Sequence, residues 1–156
     1  RRKRLPDAHE PCRRARGDCY VAEVSDGSVT GFHHLALTVR DFDASASWYE
    51  RVFDLDPVID EPGDERRARV YRLRGTTQML GLVEHRSNDG AGFRPDRTGL
   101  DHAAFSVPTR AEVDAWAQRL DLAGIEHSGR IDIPIGAILN FSDPDGIALS
   151  IFYEGD

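Results

Sequence analysis

His34-Leu35-Ala36-Leu37-Thr38-Val39 and, 68 residues further on, His102-Ala103-Ala104-Phe105-Ser106-Val107 are one pattern written twice. Fourteen residues after each histidine stands a tryptophan, Trp48 and then Trp116. Chance supplies one such match easily, but not all of them in register, so the chain reads as a duplicated unit. The two modules run from about 31 to 89 and from about 99 to 156.

Both stretches alternate in the manner of a half-buried strand. His34, Ala36 and Thr38 point one way and Leu35, Leu37 and Val39 the other; His102, Ala104 and Ser106 oppose Ala103, Phe105 and Val107 in the same fashion. The apolar side is the one a helix must cover, which leaves each histidine above two small residues on the opposite face. Two equivalent strands that each present an imidazole over small side chains suggest the wall of a cavity.

A helix follows each strand. Thr109 with Glu112 forms a capping box, Val113, Trp116, Ala117 and Leu120 recur at helical spacing, and Gly124 closes the segment. In the first module Asp41 or Asp43 can cap, and Ala46, Tyr49, Val52 and Phe53 form the matching stripe. Three short strands are expected after each helix: Pro57 to Asp60, Ala68 to Leu73 and Thr77 to Glu84, then His127 to Ile131, Ala137 to Phe141 and Ile147 to Tyr153. Asp145-Gly146 is a hairpin signal, and the stretch from His85 to Arg97 reads as the link between modules. The plan is α+β, with two βαβββ modules.

Composition narrows the partners. The chain has 156 residues, 40% of them apolar, and carries 27 acidic against 20 basic side chains, a net charge of -7. That balance argues against a general attraction to nucleic acid or an anionic membrane and in favour of a small-molecule partner. No apolar run reaches the ~20 residues of a membrane span, and a cytoplasmic location is expected. Residues 1 to 29 mix Arg1, Arg2, Lys3, Arg4, Arg13, Arg14 and Arg16 with Pro, Gly, Ser and acidic residues without apolar periodicity, and read as a flexible extension. Its Cys12 and Cys19 have neither the spacing of a redox pair nor that of a zinc finger. Of the remaining histidines, His33 falls on the helix side, His9 in the extension, and His85 and His127 near strand ends.

The stretch from His34 to Ser45 with Trp48-Tyr49, the later Leu100-Asp101-His102-Ala103-Ala104-Phe105-Ser106-Val107, and Asp143-Pro144-Asp145-Gly146 resemble, in order and spacing, the vicinal-oxygen-chelate superfamily. The likeness spans about residues 31 to 154. That superfamily includes glyoxalase I, methylmalonyl-CoA epimerase, extradiol dioxygenases, fosfomycin-resistance enzymes and metal-free bleomycin-resistance proteins. The resemblance implies a glyoxalase-like fold, in which the two modules form an open, cleft-containing, β-barrel-like sheet, and a homodimer. It also implies a divalent ion (Zn, Ni, Mn or Fe) held by one ligand from the first and one from the last strand of each module.

By that resemblance His34 and His102 fall on the first-strand ligand positions, while the customary last-strand carboxylates are replaced by Gly81 and Ser150. Glu154 shares the face of Ser150 but stands about 13 Å away along a strand. Glu84 has the wrong parity unless a bulge shifts the register. An ion should therefore be held weakly or not at all. Three readings stay open: a metal-dependent lyase, isomerase or dioxygenase; a metal-free enzyme using His34 or His102 as general acid or base beside Ser150, Tyr49 or Tyr153; and a protein that sequesters an aromatic or oxygenated molecule, as the bleomycin-resistance branch does. The expected pocket residues are Tyr49, Met79, Gly81, Val83, Phe141, Ser150 and Phe152.

Overall fold

Local sequence signals set the boundaries of the elements. In the computed structural model, which describes residue 29 and residues 31 to 155, the first module runs β1 (His34–Thr38), α1 (Phe42–Phe53), β2 (Pro57–Glu61), β3 (Arg66–Arg72) and β4 (Met79–His85). The second runs β5 (Ala103–Ser106), α2 (Arg110–Leu122), β6 (His127–Ile133), β7 (Gly136–Ser142) and β8 (Ala148–Glu154). The expected extension, with Cys12 and Cys19, lies outside the described residues apart from Val29. No helix among the described residues is long and apolar enough to cross a membrane.

Of the two candidate caps, Asp41 is the one used: it sits in extended backbone and its side chain accepts the amide of Ala44. Helix α1 ends at Asp54, a left-handed residue with φ 55°. The capping box of Thr109 and Glu112 opens α2, and Gly124, at φ +68°, closes it.

Each module builds a four-stranded mixed sheet, with order β1-β4-β3-β2 in one and β5-β8-β7-β6 in the other, and neither sheet closes on itself. The first strand pairs in parallel with the last, which a crossover through a helix permits, and the remaining pairs are antiparallel. The register sets His34 opposite Met79, Ala36 opposite Gly81 and Thr38 opposite Val83. In the second sheet Ala104 lies opposite Ser150 and Ser106 opposite Phe152. His102 immediately precedes β5, which begins at Ala103.

The helix-side faces of both sheets meet in one core. Leu37, Leu80, Leu82 and Tyr71 from the first module share it with Leu139, Leu149 and Ile151 from the second, with Tyr49, Val52, Val113 and Leu120 contributed by the helices. Phe53 of α1 touches Phe105 and Trp116, with ring centroids 4.8 and 5.1 Å apart, and Trp48 reaches Phe141 at 6.4 Å. A second tie joins the modules through the turn at Asp143-Pro144-Asp145-Gly146. The buried Asp143 carboxylate accepts the Tyr49 hydroxyl at 3.0 Å and the amides of Asp145 and Ile147 at 2.9 and 2.8 Å. Arg40, just past β1, gives its amide and its Nε to Asp145.

Candidate functional site

Because both sheets turn their helix-side faces to the common core, the opposite faces have no helix against them and are open along their edge strands, although Ala68, Val83 and Ser150 farther in are buried. His34, Ala36 and Thr38 are exposed on β1, as are Ala104 and Ser106 on β5. At the starts of these two edge strands lies a cleft of about 400 Å³, mainly apolar, whose walls include His34, Met79, Leu100, His102, Ala104 and Phe105. Both histidines therefore border one space.

The local chemistry of the two imidazoles differs. His34 Nδ1 stands 3.1 Å from Nδ1 of His33, so one ring must donate and the other accept. His102 Nδ1 stands 2.6 Å from the Asp101 carboxylate. An Nδ1–H donated to Asp101 leaves Nε2 of His102 with its lone pair, the tautomer a general base needs.

The family's remaining metal positions carry no substitute donor. Gly81 offers no side chain, and a Cβ there would meet the Cβ of its strand partner Ala36 at 3.4 Å, an ordinary contact. Ser150 is 3% exposed, and its hydroxyl donates to Oδ1 of Asn140, the residue opposite it on β7, at 2.8 Å. The pairing of β3 with β4 runs without a bulge, so Glu84 keeps its helix-side parity and accepts the amide of Phe42 at the start of α1. Glu154 is exposed at the far end of β8, opposite Gly136. Among the described residues no group of three or more His, Cys, Asp or Glu side chains is placed to hold a metal ion. Two neutral imidazoles and a hydroxyl already bound to an amide do not fit a divalent ion, which calls for three or four donors and compensating negative charge.

Three expected site residues lie elsewhere. Tyr49, expected in the pocket, is fully buried on α1, where burial and the nearby Asp143 carboxylate push its hydroxyl far above the ordinary tyrosine range. That hydroxyl donates to Asp143 at 3.0 Å and ties the helix to the turn at 143–146. Phe141 is buried beside Trp48 and Phe53 because its position on β7 has the helix-side parity. Tyr153 likewise has the parity of Ile151, and its ring lies 5.6 Å from the guanidinium of Arg110. Met79 borders the cleft, Val83 and Gly81 continue its face along β4, and Ser150 and Phe152 lie on the equivalent face of the second sheet.

Among the residues of these faces that reading the sequence missed are Asn140, Arg72 and Val70. Asn140 is identified only by the register that sets it against Ser150. Arg72 is opposite Met79, itself opposite His34, so the three side chains form one row across the first sheet. The alternation of Arg66, Ala68, Val70 and Arg72 was visible in the sequence, but which face it joined was not.

This architecture, two βαβββ modules in an open α+β arrangement, is glyoxalase-like. The profile of the Glyoxalase/Bleomycin resistance protein/Dioxygenase superfamily matches residues 31–151, and the chain belongs to that superfamily. A glyoxylase/bleomycin resistance protein/dioxygenase domain from Frankia sp. EAN1pec is 34% identical, with a TM-score of 0.77 over 82% of this chain and 100% of that one. TnmS3, an antibiotic binding protein from Streptomyces sp. CB03234, shares the fold at 23% identity and a TM-score of 0.63, over 82% of this chain and 98% of its own. The fosfomycin resistance protein FosX from Listeria monocytogenes does so at 16% identity and 0.62, over 82% and 96%. A FosX mutant has been crystallised with Mn(II) and 1S,2S-dihydroxypropylphosphonic acid. No curated protein matches the chain.

Proposed function

We propose that this chain binds a small aromatic or oxygenated molecule on its uncovered sheet faces without a metal ion, as a sequestering protein of the bleomycin-resistance type. The observation that carries this reading is the hydrogen bond from Ser150 to Asn140: the second-module ligand position is occupied by a hydroxyl whose partner is already an amide. The likeness to an antibiotic binding protein agrees with it.

Calorimetric titration with zinc, nickel, manganese and iron(II) tests the metal-free part. The wild type is expected to bind each weakly, above about 100 µM, because two uncharged imidazoles leave the charge of the ion uncompensated. Ser150→Glu restores one anionic oxygen and should tighten binding by at least about tenfold. Submicromolar affinity in the wild type, abolished by His34→Ala, would return a metal-dependent enzyme to first place.

The Asp101–His102 pair favours a second reading, a metal-free enzyme in which Nε2 of His102 takes a proton from the ligand. Incubating the protein with a ligand it binds separates the two. Unchanged ligand supports sequestration, whereas conversion that disappears in His102→Asn with binding retained supports the enzyme.

The protein acts as a homodimer in this proposal. Large apolar side chains stand exposed on the uncovered faces, including Ile59 at 45% and Ile131 at 42%, and β1 and β5 are both edge strands. Sedimentation equilibrium should give twice the 17.4 kDa chain mass at micromolar concentration. A monomer at 100 µM would contradict it.

A further inference from the structure

The uncovered face of the first sheet is a graded surface. Across β1, β4 and β3 its rows read His34–Met79–Arg72, then Ala36–Gly81–Val70, then Thr38–Val83–Ala68. The second and third rows hold nothing larger than valine, and Gly81 adds no side chain at all. Val83 and Ala68 of the third row are buried, so the floor that remains is the second row, Ala36–Gly81–Val70, ~10 Å across three strands and about the width of one or two aromatic rings. At one end of that floor stands a guanidinium.

Arg72 differs from the other arginines of β3. Arg66 is paired with Glu61 at 2.6 Å, Arg67 with Asp43 at 2.8 Å, and Arg69 with both Asp60 and Glu50. Arg72 is exposed, and among the described residues its sole partner is the carbonyl of Thr77, at the 3.5 Å limit of a hydrogen bond. In a chain with a net charge of -7, acidic side chains pair with the neighbouring arginines of β3, while among the described residues none pairs with this one. It is also the arginine in the same row as Met79 and His34, which border the cleft.

Resting on the binding function proposed above, we infer that the ligand is an anion: a planar aromatic body bearing one acidic group, with the ring on the floor of Ala36, Gly81 and Val70 and the acidic group on Arg72. A guanidinium offers paired donors to a carboxylate or sulfonate, and such charge-assisted contacts gain strength beside an apolar surface that excludes water. The negative charge of the whole chain provides no general attraction to anions, so any preference for them is local to this group.

The test uses two fluorescent probes with one skeleton, 1-anilinonaphthalene-8-sulfonate and its uncharged counterpart N-phenyl-1-naphthylamine, titrated into the full chain. The ratio of their affinities in the wild type should favour the sulfonate by at least about tenfold more than in Arg72→Gln, with binding of the uncharged probe altered less than about twofold. Arg72→Lys should restore part of the preference, and added salt should weaken it. Ala36→Phe fills the floor and should weaken both probes. An unchanged ratio in Arg72→Gln overturns the assignment of an anionic ligand while leaving aromatic binding intact, and full binding of both probes in Ala36→Phe overturns the floor as the seat of the ring. If neither probe binds the wild type, the binding function itself fails and the inference with it.

Discussion

Gly136→Ala is expected to destabilise the protein by more than about 3 kcal/mol, lowering the melting temperature by roughly 10 °C or more. Gly136 opens β7 with φ +147°, a backbone conformation that L side chains rarely adopt. A Cβ there would stand 1.9 Å from the carbonyl oxygen of Tyr153 and 3.2 Å from the Cα of Glu154. Both obstacles are backbone of the adjoining strand, and β7 is paired on its two sides, to β6 and β8, so neither strand can yield without losing ladder bonds. Gly129→Ala is the control. It too has a positive φ, +70°, but nothing lies within 4 Å of its added Cβ, so only the conformational cost of ~1 kcal/mol applies. Urea unfolding of both variants measures the contrast, and equal losses would show that the close approach at Gly136 is relieved.

Tyr49→Ala should cost about 4 kcal/mol or more, the sum of a lost buried ring and an orphaned acceptor. The ring is fully buried, stacks on Phe53 at 5.7 Å and meets Trp48 at 4.9 Å. Its hydroxyl is the side-chain donor to Asp143, whose carboxyl is held above its ordinary range chiefly by burial. Without that donor the carboxylate keeps two backbone amides, so the turn at 143–146 persists but loses its tie to α1. Tyr49→Phe isolates the hydroxyl and should cost about 1–2 kcal/mol. Denaturant unfolding of the pair decides the matter: a Tyr49→Ala variant within 1 kcal/mol of wild type would mean that the modules do not depend on this contact.

Tyr49 and Phe141 show how far the sequence could be read. The helical stripe of Ala46, Tyr49, Val52 and Phe53 identified Tyr49 as core, since it shares a period with other apolar residues. Yet the reading as a metal-free enzyme also placed Tyr49 near the site, and local spacing cannot choose between a core tyrosine and a pocket tyrosine. Asp143, 94 positions away, decides it. Phe141 was misplaced for a related reason. Alternation says that Phe141 and Asn140 occupy opposite faces but not which face is which, and the sheet settles that through its pairing with Leu149 and Ser150.

The sequence by itself determined what depends on short range: the duplication, the βαβββ order, the capped helices, the parity of His34 and His102 over small residues, and the lack of carboxylates at Gly81 and Ser150. These follow from backbone periodicity and side-chain identity within a few residues. The tertiary structure alone decided which distant side chains became neighbours. It put Tyr49 against Asp143, the Ser150 hydroxyl on Asn140, and Arg72 in the row of Met79 and His34. The reason is physical: strand register and helix docking are set by the joint packing of many side chains, and no single stretch of chain contains that information.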